Sequence, residues 1–177
     1  MKPRTLCLTL FLFGVSSVFA TDLKTPDVPN ELLPPDNEKL VAMAHGKGDQ
    51  IYVCRANVNG APFGYTLLAP DAVLTDDDGK EVGHHFIGPT WQWNDESKIT
   101  GKIVISAHSP DPQAISWLLL TTVDHTATGV LGKVTSIQRI NTKGGRAPSF
   151  GCDADHLGKE VKVPYSADYY FYARVYK

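Results

Sequence analysis

Short apolar or aromatic runs recur along this chain at roughly 8–12-residue spacing, each cut off by glycine, proline or clustered aspartate, a rhythm that points to antiparallel β-structure. Residues 39–45 and 50–55 read as two strands joined by Gly46-Lys47-Gly48. Residues 65–69 and 72–74 follow, split at Pro70. Asp78-Gly79 signals a tight turn into residues 81–87, and Gly88-Pro89 breaks the chain before residues 90–94. Residues 99–108, 115–123 and 130–140 come next. The middle one of these is apolar on both faces, as in a strand covered on each side. A Gly- and Pro-containing loop over 141–158 leads into a last strand over 160–176. Residues 37–44 are the one stretch whose composition also suits a helix. The expected fold is all-β: a single-domain sandwich or partly closed barrel of roughly nine mostly antiparallel strands.

The start of the chain has a different character. Lys2 and Arg4 precede an uncharged run over 6–19 that ends in Val18-Phe19-Ala20. A charged start, a short apolar middle and a small-x-small end define a secretory signal peptide, residues 1–20, cut after Ala20. Residues 21–36 hold Pro26, Pro29, Pro34 and Pro35 and read as an extended, non-helical leader. Residues 37–177 form the β domain. The expected location is secreted or periplasmic. No later stretch approaches the roughly 18 apolar residues of a spanning helix, so no transmembrane segment is expected.

Removing residues 1–20 leaves 157 residues, with 15 basic against 19 acidic side chains and a net charge of −4. That balance argues against nucleic acid and anionic membranes as partners, since both favour a basic surface. Composition says nothing of oligomeric state. Two cysteines remain, Cys54 and Cys152. An even pair in an exported chain most simply forms one disulfide. The rival reading, two metal-binding thiolates, lacks any C-x-x-C spacing.

The last strand carries aromatics at both parities: Tyr165, Tyr169 and Phe171 on one face, Tyr170, Tyr172 and Tyr176 on the other. One face can pack the core, while the other must be covered or line something. Trp91 and Trp93 share a strand face, as a stacking platform for a ring would. Arg139 and Asp168 are charges inside strands and want partners: each other, or Arg174 for Asp168, or a ligand. Six histidines are present, His45, His84, His85, His108, His125 and His156. None falls in an H-x-H, H-E-x-x-H or H-x₃₋₅-H spacing, and adjacent His84 and His85 face opposite ways on a strand. No metal is expected. Asp76-Asp77-Asp78-Gly79 lacks the alternation and the distal glutamate of a calcium loop and reads as a solvated turn. No G-x-S-x-G elbow marks a nucleophile, and the catalytic residues are unknown. A carboxylate pair of Asp168 with Asp95 or Glu96 stays open. No G-x-G-x-x-G or βαβ unit holds a dinucleotide, and no cofactor is expected.

Six stretches act together as a signature: Gln50-Ile51-Tyr52-Val53-Cys54, Gly88-Pro89-Thr90-Trp91, Ile115-Ser116-Trp117-Leu118-Leu119-Leu120, Val134-Thr135-Ser136-Ile137-Gln138-Arg139, Gly144-Gly145-Arg146-Ala147-Pro148 and Pro164-Tyr165-Ser166-Ala167-Asp168-Tyr169-Tyr170-Phe171-Tyr172. Over residues 32 to 176 the chain resembles a family of secreted proteins of fungi and bacteria known only as a domain of unknown function. The resemblance implies one exported domain with Cys54 paired to Cys152 and brings no reaction with it. The chain departs from the family pattern at Gln92, where many members carry glutamate.

The leading expectation is a non-enzymatic, surface-associated or binding protein that takes a small molecule or carbohydrate through His84, Trp91, Trp93, Arg139, Asp168 and Tyr170. The first alternative is a metal-assisted secreted enzyme using His84 or His85 with Asp168. The second is a structural envelope or extracellular protein.

Overall fold

The computed structural model describes residues 23–126 and 128–176; the signal peptide read at the start lies outside them. Eight strands follow in chain order: β1 (Glu38–Val58), β2 (Ala61–Thr75), β3 (Glu81–Phe86), β4 (Thr90–Trp93), β5 (Lys98–Ala107), β6 (Trp117–His125), β7 (Val134–Gly144) and β8 (Glu160–Arg174). Each pairs antiparallel with the next, and β8 pairs with β1, so one sheet closes into a ring. Closure gives every strand a neighbour on each side over at least part of its length, so no strand has a wholly free edge as in an open sheet.

The ten runs read in the sequence become eight strands because two supposed turns lie inside strands. Gly46-Lys47-Gly48 is the middle of β1, and Pro70 is inside β2. Glycine is required at 48 by space: a Cβ there would run into the Asp71 backbone of the neighbouring strand. At 46 an added Cβ would sit 2.6 Å from the Tyr169 ring, so the bare backbone makes room for an aromatic inside the ring. The same small-against-large matching explains why residues 37–44 do not form a helix. Ala42 and Ala44 sit opposite Phe171 and Tyr169 and are buried with them.

The interior is filled by Leu74, Trp91, Ile99, Leu118, Leu120, Ile137, Tyr165, Tyr169 and Phe171, among others. The leader covers the Tyr172 end of the even-numbered face of β8. One 3-10 turn, Asn30–Leu32, interrupts the segment read as extended, and it buries Leu32 completely. The Tyr172 hydroxyl donates to Gln138 Oε1 (2.6 Å), and Gln138 Nε2 donates to the Leu32 carbonyl (2.6 Å). All three groups are buried, so each bond satisfies polar atoms that would otherwise cost about 1–3 kcal/mol apiece to bury. One aromatic face of β8 is core; on the other, Tyr172 lies under the leader, Tyr170 is half-buried beside it, and Tyr176 lies past the strand and is exposed.

Cys54 and Cys152 form a disulfide across 98 residues, tying β1 to the loop between β7 and β8. The Asp76–Lys80 connection is a tight turn in which Asp76 Oδ1 accepts from the Asp78 and Lys80 amides.

Candidate functional site

The strand lengths create an opening in the wall. β3 has 6 residues and β4 has 4, whereas β2 has 15 and β5 has 10. Ladder pairing between β2 and β3 reaches only to Ala72↔His85, and between β4 and β5 only to Thr90↔Thr100. Past the Gly88-Pro89 turn, β2 and β5 continue with nothing between them. A cavity of about 320 Å³ fills that gap, lined by residues of β1 to β7. Its rim is apolar and exposed: Leu67, Leu68, Ile87 and Ile103. Its inner wall is Trp91, Leu118 and Leu120, with Gln50, His85 and Arg139 as the polar groups. A second, 540 Å³ recess adjoins it through Leu67, Ile103, Leu118 and Arg139.

Arg139 sits on the inward parity of β7, paired with Tyr169 on one side and Leu118 on the other. Its Nε and Nη2 donate to the Ser116 carbonyl at 3.2 and 2.8 Å. Among the described residues it has no carboxylate within 4.0 Å. Burial pulls its pKa below the usual value, and the groups that oppose this are the hydroxyls of Tyr169, Tyr165 and Tyr52. His85 is buried and stacks on Trp91 with ring centroids 4.3 Å apart. Its Nδ1 lies 2.8 Å from the Thr90 carbonyl, which can only accept, so the proton is on Nδ1. Desolvation drops its pKa to about 3, with Arg139 adding to the effect, so the ring is neutral. Among the described residues, two buried donors of the cavity lining have no partner, Trp91 Nε1 and Gln50 Nε2. The Gln50 amide lies beside the Tyr165 hydroxyl without making a well-formed hydrogen bond to it. Tyr165 and Tyr169 share a hydroxyl contact of 3.1 Å.

The six residues expected to form the site do not converge. Arg139 and Trp91 do line one cavity. Trp91 is core as well, only 1% exposed, and its face is already taken by His85 rather than open to a sugar ring. Trp93 is half-buried, edge-on to Phe171, and borders a separate shallow recess that His84 shares. His84 is on the outer surface, 3.2 Å from Glu81. Tyr170 is on the outside of β8, beside the leader.

Asp168 is not the partner of Arg139 or of Arg174. The register sets Asp168 opposite Ile140 and Arg139 opposite Tyr169, so the two charges point to opposite faces of the sheet. Asp168 instead accepts from His45 Nδ1 (2.7 Å) and Asn141 Nδ2 (2.8 Å), while His45 Nε2 meets Asp77 (3.1 Å). Partial burial disfavours the charged His45 ring, but hydrogen bonds to Asp168 and Asp77 outweigh it and its pKa is raised. Arg174 lies 3.9 Å from Glu38. Asp95 caps the turn before β5, accepting from Ser97 and from the Val130 amide.

His84 and Asp168 are therefore apart, with His85 on the other face again. Among the described residues no three His, Cys, Asp or Glu side chains come together as a metal would require. Gln50 carried no chemical motif in the sequence. Its parity was the available signal, because it shares a strand face with Ala42, Ala44, Gly46 and Gly48.

Fold and cavity together define the class: an all-β, disulfide-tied ring of eight strands with an apolar cavity where its shortest hairpin ends. By sequence the chain belongs to the family described as Protein of unknown function (DUF3455), which matches residues 34–173. No curated protein and no solved structure matches it. Among the described residues no helix is long and apolar enough to cross a membrane.

Proposed function

We propose that this is a non-enzymatic binding protein that takes a small, largely apolar molecule into the cavity beyond the β3–β4 hairpin. One observation carries the reading: the ring is incomplete at that point, and the opening leads into an apolar recess whose floor is the core face of Trp91, Leu118 and Leu120. A cavity of 320 Å³ lies at the lower end of the range for small-molecule sites. An apolar wall with a few polar groups fits a small organic molecule better than a carbohydrate, whose many hydroxyls would be left unpaired there. The separation of His84 from Asp168 weighs against the metal-assisted alternative.

1-Naphthylamine, a small neutral fluorophore whose emission shifts in apolar surroundings, tests this. It is expected to bind saturably at one site. Ile103→Trp, at an exposed rim position where folding is not at stake, is expected to weaken that binding about tenfold by filling the mouth. Absence of saturable binding, or indifference to Ile103→Trp, overturns the reading in favour of a structural role.

We further propose that the protein works outside the cytoplasm, on the evidence of the signal-like residues 1–20 and the disulfide. The exported protein should begin at Thr21 by N-terminal sequencing. An intact Met1 in the cell-associated fraction would contradict this.

A further inference from the structure

The polar groups of the cavity are unequal in kind. Arg139 uses two of its five N–H donors on Ser116, which leaves three free. Gln50 Nε2 and Trp91 Nε1 are further donors without partners. No aspartate or glutamate lines the cavity. His85 is neutral, so the cavity carries a single positive charge. A half-buried guanidinium without an acid is still costly, and proteins normally supply the counter-charge from a neighbouring side chain. Here no carboxylate lies within 4.0 Å of Arg139 among the described residues, although Asp111 lines the adjoining recess, and the residues carrying the unpartnered donors line the same cavity as the guanidinium.

We propose that the cavity is built for a small apolar carboxylic acid, whose carboxylate supplies the negative charge that Arg139 lacks and whose hydrocarbon part lies against Trp91, Leu118 and Leu120. This rests on the cavity being a binding site. The planar guanidinium suits a carboxylate better than a point-like anion, because two N–H groups can meet two oxygens. Size limits the acid: at roughly 30 Å³ per water-sized group, the space takes about ten non-hydrogen atoms. An eight-carbon fatty acid or a phenylpropenoic acid is of that size.

Octanoate and cinnamate, each compared with its alcohol (octan-1-ol, cinnamyl alcohol), test the assignment by displacement of the neutral naphthylamine probe at pH 7.5. The acids are expected to bind at least about tenfold more tightly than the alcohols, as expected when a hydrogen bond gains a charged partner. In Arg139→Met that preference is expected to vanish while the alcohols still bind. The variant removes an unpaired, half-buried charge and keeps most of the volume, so it is expected to fold; circular dichroism and a cooperative melt check this. Acids and alcohols binding alike overturn the carboxylate assignment and leave the cavity reading standing. An acid preference that survives Arg139→Met overturns the role of Arg139. If neither acids nor alcohols displace the probe, the assignment falls, and if the probe itself fails to bind the cavity reading falls with it.

Discussion

Replacing Cys54 and Cys152 together by alanine is expected to lower the free energy of unfolding by about 4 kcal/mol without abolishing the ring. The bond closes a loop of 98 residues, and chain-entropy arguments give about 4–5 kcal/mol for a loop of that length. The ring does not depend on the bond for its connectivity. The β1–β8 ladder runs from Glu38↔Arg174 to Val53↔Glu160 and closes the sheet by itself. What the disulfide holds is the connection between β7 and β8, whose other hydrogen bonds to β1 and β2 are few: the Tyr52 hydroxyl to Gly145, the Cys54 amide to Lys159, the Gly158 amide to Cys54, and the Tyr65 hydroxyl to Gly151. Urea unfolding measures the loss. For a domain of this size the thermal midpoint should fall by roughly 8–16 °C. Limited trypsin digestion gives a second readout, since Arg146 and Lys159 flank the freed segment and should become the first cut sites. A loss under 1 kcal/mol would mean that the unfolded chain is already compact enough to forgo the cross-link.

Strand periodicity and turn chemistry made the all-β class and most strand positions readable in the sequence. What escaped was continuity. Glycine and proline normally punctuate strands, yet here they serve them. Gly46 and Gly48 give space where the interior and the neighbouring backbone press in. Pro70 lies in the part of β2 beyond its pairing with β3, where a missing N–H costs no ladder bond on that edge. These are tertiary reasons, invisible until the neighbours are known. Arg139 and Trp91 were legible as candidates because a charge and an indole inside strands stand out. Asp168 was misassigned for a reason parity could have corrected. With Tyr169 in the core, Asp168 must face outward, while Arg139 shares the inward face with Ile137. The cavity itself depends on β3 and β4 being shorter than their neighbours, and strand ends are what sequence patterns define least well.

Trp91→Ala is expected to cost about 3 kcal/mol of stability and to change how stability depends on pH. Trp91 packs on His85, Tyr169 and Phe171 at ring separations of 4.3, 5.5 and 6.3 Å. Truncating a buried indole typically costs about 3–5 kcal/mol. The lower figure is expected here, because the change also removes a buried N–H that has no partner. The space vacated joins the side cavity, so water reaches the ring of His85. That has a second consequence. In the native protein His85 is held neutral, with a folded pKa of about 3 against an unfolded value of 6.5. The unfolded chain therefore takes up a proton that the folded one refuses. Stability is complete above pH 6.5 and is lost as the pH falls toward 3, by about 1.4 kcal/mol per unit from this group. Hydrating His85 raises its folded pKa and shrinks that loss. Carboxylates also titrate below pH 6, so the quantity to measure is the difference between wild type and variant in urea unfolding at pH 7 and pH 5. The gap of about 3 kcal/mol at pH 7 should narrow at pH 5. If it stays constant, His85 titrates alike in both proteins, and Trp91 is not what keeps water from it.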